Sequence, residues 1–277
     1  MPIPIVLVDA FASQPFGGNP AAVCLLDGPR DRGWMQAVAA EMAQSETAFV
    51  RRLADGWSLR WFTPLVEVGL CGHATLAVAH VLWERGSVAA GEPVRFETAS
   101  GRIGAARLAD GWIELDLPAH PFPSDPRPAE ATVASVLAGL SVAPACLVEA
   151  RARGDDLLLV LSDAAAVRAA RLDARALVAV ANEVTLTAPA DGRDAGPAAA
   201  ADIVSRVFVP REGIDEDPVT GSAHAALGPY WTARLGRPGL LAYQASRRGG
   251  LLRVRAAVDR VLVAGAAVTV LDGELRV

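Results

Sequence analysis

Gly72-His73-Ala74-Thr75 opens a run of helical spacing that ends at Arg85-Gly86, and Gly221-Ser222-Ala223-His224 opens a second that ends at Arg234-Leu235-Gly236. Ahead of each lies an aromatic strand end with a proline, Phe62-Thr63-Pro64 and Phe208-Val209-Pro210. Behind each comes a further matching stretch, Thr98-Ala99-Ser100-Gly101-Arg102 and Gln244-Ala245-Ser246-Arg247-Arg248. Two degenerate copies of one strand–helix–strand unit explain this self-similarity.

Outward from the first helix, Ile3–Val8 and Ala21–Leu26 read as strands, Gly33–Ala43 has helical spacing, and Glu46–Arg51 and Ser58–Phe62 read as strands again. Thr63–Leu70 reads as a loop leading into a helix over Gly72–Arg85. A proline-rich linker carrying Pro118, Pro121, Pro123, Pro126 and Pro128 divides the chain into residues 1–118 and 119–277, with the last strand able to cross back to the first domain. Ala188–Ala201, rich in Ala, Gly and Asp, reads as a surface loop of the second domain, with an alanine-rich helix extension as the alternative.

The 277 residues are 52% hydrophobic and carry a net charge of −5, with no basic footprint for nucleic acid. All 26 basic residues are arginine, so a lysine Schiff base with pyridoxal phosphate and a Walker-type phosphate lysine are both excluded. Cys24, Cys71 and Cys146 are scattered, and no CxxC pair supports a zinc ribbon or disulfide framework. No apolar stretch is long enough to span a bilayer, and no signal peptide is recognisable at the start. These features lead to an expectation of a cytoplasmic protein without membrane or nucleic-acid partners.

The two helix starts are the candidate ligand sites. Each follows an acid-bearing loop, Glu67 ahead of Cys71-Gly72-His73 and Glu212–Asp217 ahead of Thr220-Gly221-Ser222. Helix starts present unpaired N–H groups and a positive dipole end to anions, and Gly72 and Gly221 let a ligand approach the backbone closely. Ordinary N-capping accounts equally for Thr or Ser ahead of an apolar helix, and both readings stand at this point.

Five blocks, in order, resemble the phenazine-biosynthesis (PhzF-like) family: Phe16–Val23, Ser45–Phe49, Arg60–Pro64, Cys71–Ala77 and Glu216–His224. The resemblance implies an α+β fold of the diaminopimelate epimerase type. Two pseudo-symmetric domains would each fold a curled mixed sheet around a central helix, with the active site in the cleft between them. It implies an isomerase that uses no cofactor or metal and moves a proton on a small carboxylate, and a homodimer. Relatives with an assigned reaction isomerise a hydroxylated dihydroaromatic acid. Glu46 is implied as the catalytic acid–base group, aided by His73, Asp217 and Ser222. Asn19 and Thr220 join Gly72 and Gly221 as candidate substrate-binding residues.

The chemistry agrees with those residue types. A proton shift between two carbons needs one group that removes the proton and returns it on the same face, and a carboxylate suits that task. Glu46 stands between Met42 and Phe49 in apolar surroundings, although an exposed acid ending a helix would look the same in sequence. Asp217 and His73 could hold a substrate carboxyl or hydroxyl and relay a proton, and Ser222 could donate from the second helix start. His73 and His80 lie two helical turns apart, about 10 Å, and cannot share a metal. His80 and His224 read as packed or surface helix residues, and His120 as solvated.

Two other functions remain open on sequence. The same fold hosts racemases, epimerases and dehydratases of the proline racemase type, and Cys71-Gly72-His73-Ala74-Thr75 resembles the first of their two thiol sites. The second thiol would fall near Pro218, where no cysteine stands. A non-catalytic protein that binds small acids at the two helix starts is the other alternative.

Overall fold

The computed structural model describes residues 2–276. Two compact units result: one holds the chain up to Pro118 and again from Val258, and the other holds Ala119–Ala257.

The first unit begins with strands β1 (Ile3–Ala10) and β2 (Asn19–Leu26), helix α1 (Arg32–Met42), and strands β3 (Glu46–Arg52), β4 (Trp57–Phe62) and β5 (Glu67–Val68). It continues with α2 (Gly72–Glu84), β6 (Val94–Thr98), β7 (Gly101–Arg107) and β8 (Ile113–Pro118). Asp31 caps α1 by accepting from the Trp34 N–H, and Ala43 ends it in the left-handed region. β2 runs parallel to β3, with Ala21 opposite Glu46, and β3 runs antiparallel to β4, with Thr47 opposite Phe62. The stretch expected as a plain loop, Thr63–Leu70, contains the two-residue β5, which pairs back onto the end of β4.

Such a sheet needs an apolar element inside its curl, and α2 meets that need. Its residues Gly72 to Ala79 are buried without a break, as are Val81, Leu82 and Trp83. A helix apolar on every side belongs in a core. α2 packs against β1, β2, β3 and β8, and α1 covers the outer face through Met35, Val38 and Ala39 against Phe49 and Phe62.

The second unit repeats the plan. It comprises α3 (Glu130–Gly139), β9 (Leu147–Arg153), β10 (Asp156–Leu161), α4 (Ala164–Ala169), α5 (Ala174–Val178), β11 (Val184–Pro189), β12 (Ile203–Val209), β13 (Ile214–Asp217), α6 (Gly221–Leu235), β14 (Gly239–Gln244) and β15 (Gly250–Ala256). β10 runs parallel to β11 and β11 antiparallel to β12, with Val184 opposite Phe208. α6 takes the inner place and lies against β14 and β15, while residues of α3, α4 and α5 share one apolar cluster with the other face of β10 and β11. The expected loop at 188–201 is partly regular: Ala188 and Pro189 end β11, and Gly196–Ala200 forms a turn of 3₁₀-helix.

The last two strands, β16 (Arg260–Gly265) and β17 (Ala267–Leu275), return to the first unit. β16 pairs with β8 and β17 with β1, both antiparallel. The second domain therefore ends at Ala257 and not at 277, because these strands complete the sheet around α2. No described helix is long and apolar enough to cross a membrane.

The repeat extends to single contacts. Arg60 grips Glu67 with two hydrogen bonds of 2.7 and 2.9 Å, and Arg206 grips Glu216 with two of the same lengths. Each guanidinium lies over the aromatic strand end beside it, Phe62 at 5.2 Å and Phe208 at 5.0 Å. Ser100 Oγ donates to the Gly69 carbonyl at 2.6 Å, and Ser246 Oγ to the Pro218 carbonyl at 2.7 Å. In each copy the acid-bearing loop is thus fixed from both sides at the approach to its helix.

Candidate active site

Gly18 sets the first part of the site. Its φ is +60°, and a Cβ there would fall 2.0 Å from the Ala10 carbonyl oxygen, so only glycine lets β2 begin where it does. The loop is held further by the buried Asp9, whose carboxylate accepts from the Phe16 N–H at 2.6 Å. Asn19, the first residue of β2, is fully buried.

Glu46 is the first residue of β3 and is buried, as is His73 in the first turn of α2. Their charged atoms, Glu46 Oε2 and His73 Nε2, are 3.1 Å apart. That oxygen is buried and faces the imidazole as its charged neighbour. On the other side of the ring, Asn19 Nδ2 lies 3.1 Å from Nδ1. In the neutral ring Asn19 donates to Nδ1 and the proton stays on Nε2, facing Glu46; in the imidazolium a turned amide presents its oxygen instead. Burial works against charge on His73, but the adjoining Cys71 and Glu46 outweigh it and hold the ring well above its ordinary value.

Cys71 is the N-cap residue of α2, with its side chain uninvolved in the cap. Its sulfur lies 3.5 Å from His73 Nδ1. Burial, reinforced by the charge of Glu46, pushes the thiol up to about 11. It is therefore a neutral thiol near pH 7, unlike a thiolate base poised at a helix start. Glu46, Cys71 and His73 each bring one donor atom to within 4.8 Å of the others, a set that could receive a thiophilic divalent cation. Sequence spacing gave no sign of this cluster, since Glu46 comes from a different element.

In the second unit, Asp217 ends β13 and is buried. Its carboxylate accepts a short hydrogen bond from Thr220 Oγ1. Thr220 is the N-cap residue of α6, and its hydroxyl does not cap the helix. Neither Cys71 nor Thr220 caps its helix through its own side chain. Gly221 is the buried first residue of α6 and Ser222, partly exposed, is the second.

Two residues around α6 were missed as part of this arrangement. Gln244, fully buried, accepts from the Thr220 N–H at 2.9 Å and donates to the Asp217 carbonyl at 2.6 Å. It clamps the two candidate residues to each other, and its only signal in sequence is its place in the stretch matching Thr98–Arg102. His224 reads in sequence as an ordinary helix residue. It is fully buried, with Nδ1 2.8 Å from the Thr220 carbonyl and Nε2 3.1 Å from Ser205 Oγ. Burial pushes it down to about 4, so it is neutral and holds the first turn.

Comparison with known proteins decides the family. The description "Phenazine biosynthesis-like protein" (PhzC-PhzF) matches residues 8–273. The chain belongs to the PhzC–PhzF family. An uncharacterized isomerase of Halalkalibacterium halodurans is 44% identical over 282 residues, covering 99% of both chains. A PhzF-family crystal structure from Enterococcus faecalis has a TM-score of 0.87 and 38% identity, covering 100% of both chains. The epimerase-like α+β fold is shared more widely. A hydroxyproline epimerase from Agrobacterium vitis, solved with bound trans-4-hydroxy-L-proline, covers 99% of this chain and 92% of its own at a TM-score of 0.60, with 13% identity.

Proposed function

We propose that this PhzF-like protein is an isomerase that moves a proton on a small carboxylate substrate without metal or organic cofactor. The observation that carries this reading is the buried Glu46 carboxylate, paired at 3.1 Å through Oε2 with Nε2 of the buried His73. Such a carboxylate can take a proton from carbon and return it, while the adjoining imidazolium offsets its charge or supplies a proton to an oxygen of the substrate. Within the second unit, Asp217, Thr220, Gly221 and Ser222 at the start of α6 serve as binding and proton-relay groups, as Gly72 serves at the start of α2. The sequence adds that no lysine is present for a Schiff base. We also propose a homodimer, on the family resemblance alone, which light scattering tests.

A thiol-based racemase is disfavoured by two features. Cys71 holds its proton near neutral pH, and the N-cap residue of α6 that matches it is Thr220, two positions past the Pro218 expected from sequence.

The test is turnover in D₂O of a panel of hydroxylated dihydroaromatic acids, followed by NMR. Isomerisation with deuterium entering at carbon, abolished by Glu46→Gln, supports the reading. Isomerisation that persists in Glu46→Gln assigns the chemistry elsewhere.

A further inference from the structure

The repeat gives Glu46 a counterpart. In the first unit Thr47 stands opposite Phe62, and Glu46 is the residue before it. In the second unit Val184 stands opposite Phe208, and the residue before it is Glu183. Phe62 and Phe208 are themselves matched by the arginine that lies over each of them and grips the acid ahead of each inner helix.

Strand alternation settles which way Glu183 faces. Val184, Leu186 and Ala188 belong to the apolar cluster shared with α3, α4 and α5. Residues 183, 185 and 187 therefore face the opposite side. That side is the α6 side, because Thr187 Oγ1 accepts from Trp231 Nε1 at 3.1 Å. From Thr187 back to Glu183 the strand covers about 13 Å at about 3.3 Å per residue. From Trp231 back to Ser222 the helix covers about 13.5 Å at about 1.5 Å per residue. The charge of Asp217, which ends β13 just ahead of α6, acts on Glu183, so the acid lies by the start of α6 as Glu46 lies beside the first turn of α2.

We propose that Glu183 is a substrate-contacting residue of the second unit, whose carboxyl hydrogen-bonds to an oxygen of a carboxylate ligand at the start of α6. The surroundings favour a protonated acid. Asp156 on β10 and Asp217 on β13 add negative charge, and Arg153 on β9 and the 2.9 Å hydrogen bond that Thr185 donates to Glu183 Oε1 offset it only in part. Burial, then the charge of Asp156, pushes Glu183 up to about 7. Two carboxylates near one anion would repel it, whereas one of them protonated becomes a donor. This inference rests on reading the α6 start as a ligand site, but it does not depend on turnover.

The test is calorimetric binding of salicylate, a stable aromatic hydroxy acid, between pH 5.5 and 8.5. The expected wild-type affinity falls through pH 7, approaching about tenfold per pH unit as one proton must be taken up. Glu183→Gln, which keeps a donor at every pH, should bind within about threefold of wild type at pH 6 and lose that fall, while Glu183→Ala should bind at least about tenfold more weakly at pH 6. Wild-type affinity and pH dependence in both folded variants would overturn the proposal, as would failure of the wild type to bind salicylate at millimolar concentration. Glu46→Gln separates this from the isomerase reading: lost turnover leaves salicylate binding and its pH dependence in place.

Discussion

His73 Nε2 and Glu46 Oε2 lie 3.1 Å apart inside the first unit, one on the first turn of a helix and the other on the first residue of a strand. If that carboxylate is the proton carrier, Glu46→Gln should lower kcat by about 10²–10⁴-fold, the usual contribution of a positioned acid–base group. The amide is nearly isosteric, so circular dichroism and the melting temperature should change little. A variant keeping more than about a tenth of wild-type kcat excludes Glu46 from this role.

The same pair predicts a pH dependence of stability. His73 is held above its ordinary value in the folded protein. A raised folded value means that the folded state holds the proton more tightly than the unfolded state. Its contribution is fully present below about pH 6.5 and is lost as pH rises through the folded value. Melting temperatures should therefore decline on the alkaline side, and His73→Asn should flatten that decline. An unchanged slope in the variant would show that the imidazolium contributes nothing.

Cys71 separates the isomerase from its thiol-based rivals. With its thiol pushed up to about 11 by burial, alkylation by iodoacetamide at pH 7.5 should be slow. Cys71→Ala should keep most activity, at a packing cost of about 1 kcal/mol. A dead Cys71→Ala beside an active Glu46→Gln, assayed on one substrate, would reverse the assignment.

Gln244 offers a test of positioning at α6. Gln244→Leu removes its hydrogen bonds to the Thr220 N–H and the Asp217 carbonyl, at about 1–3 kcal/mol for lost buried hydrogen bonding. If the clamp orients Asp217 and Thr220 toward substrate, kcat/KM should fall at least tenfold at temperatures where the variant is fully folded, and Gln244→Glu should restore part of it. A stability loss without a kinetic one would make Gln244 purely structural.

Metal dependence follows from the Glu46–Cys71–His73 cluster. Under the cofactor-free reading, dialysis against EDTA leaves kcat unchanged and elemental analysis finds less than stoichiometric zinc. Activity lost to the chelator and restored by one metal ion would replace that reading.

The sequence was informative wherever function and fold use the same short segment. Gly72 and Gly221 open mostly buried helices, and Phe62 and Phe208 end the strands before them, so the two copies were legible. Glu46, His73 and Asp217 sit in continuous blocks and stood out as candidates for the same reason. Gln244 and His224 were not, because a buried amide or imidazole that ties two loops together carries no local pattern. Glu183 follows no motif at all; only the pairing of Val184 with Phe208 sets it opposite Glu46 in the repeat. The strands β16 and β17 alternate like any others, and their partners β8 and β1 lie far away in sequence, so no local signal fixes that pairing.

That return has a consequence during synthesis. β17 pairs with β1, and β16 with β8, across the whole of the second unit. On the ribosome, residues 119–257 emerge complete before the strands that close the sheet around α2 exist. The unit translated first is therefore the last able to mature, and its largely apolar inner helix waits exposed, or chaperoned, until the final strands arrive.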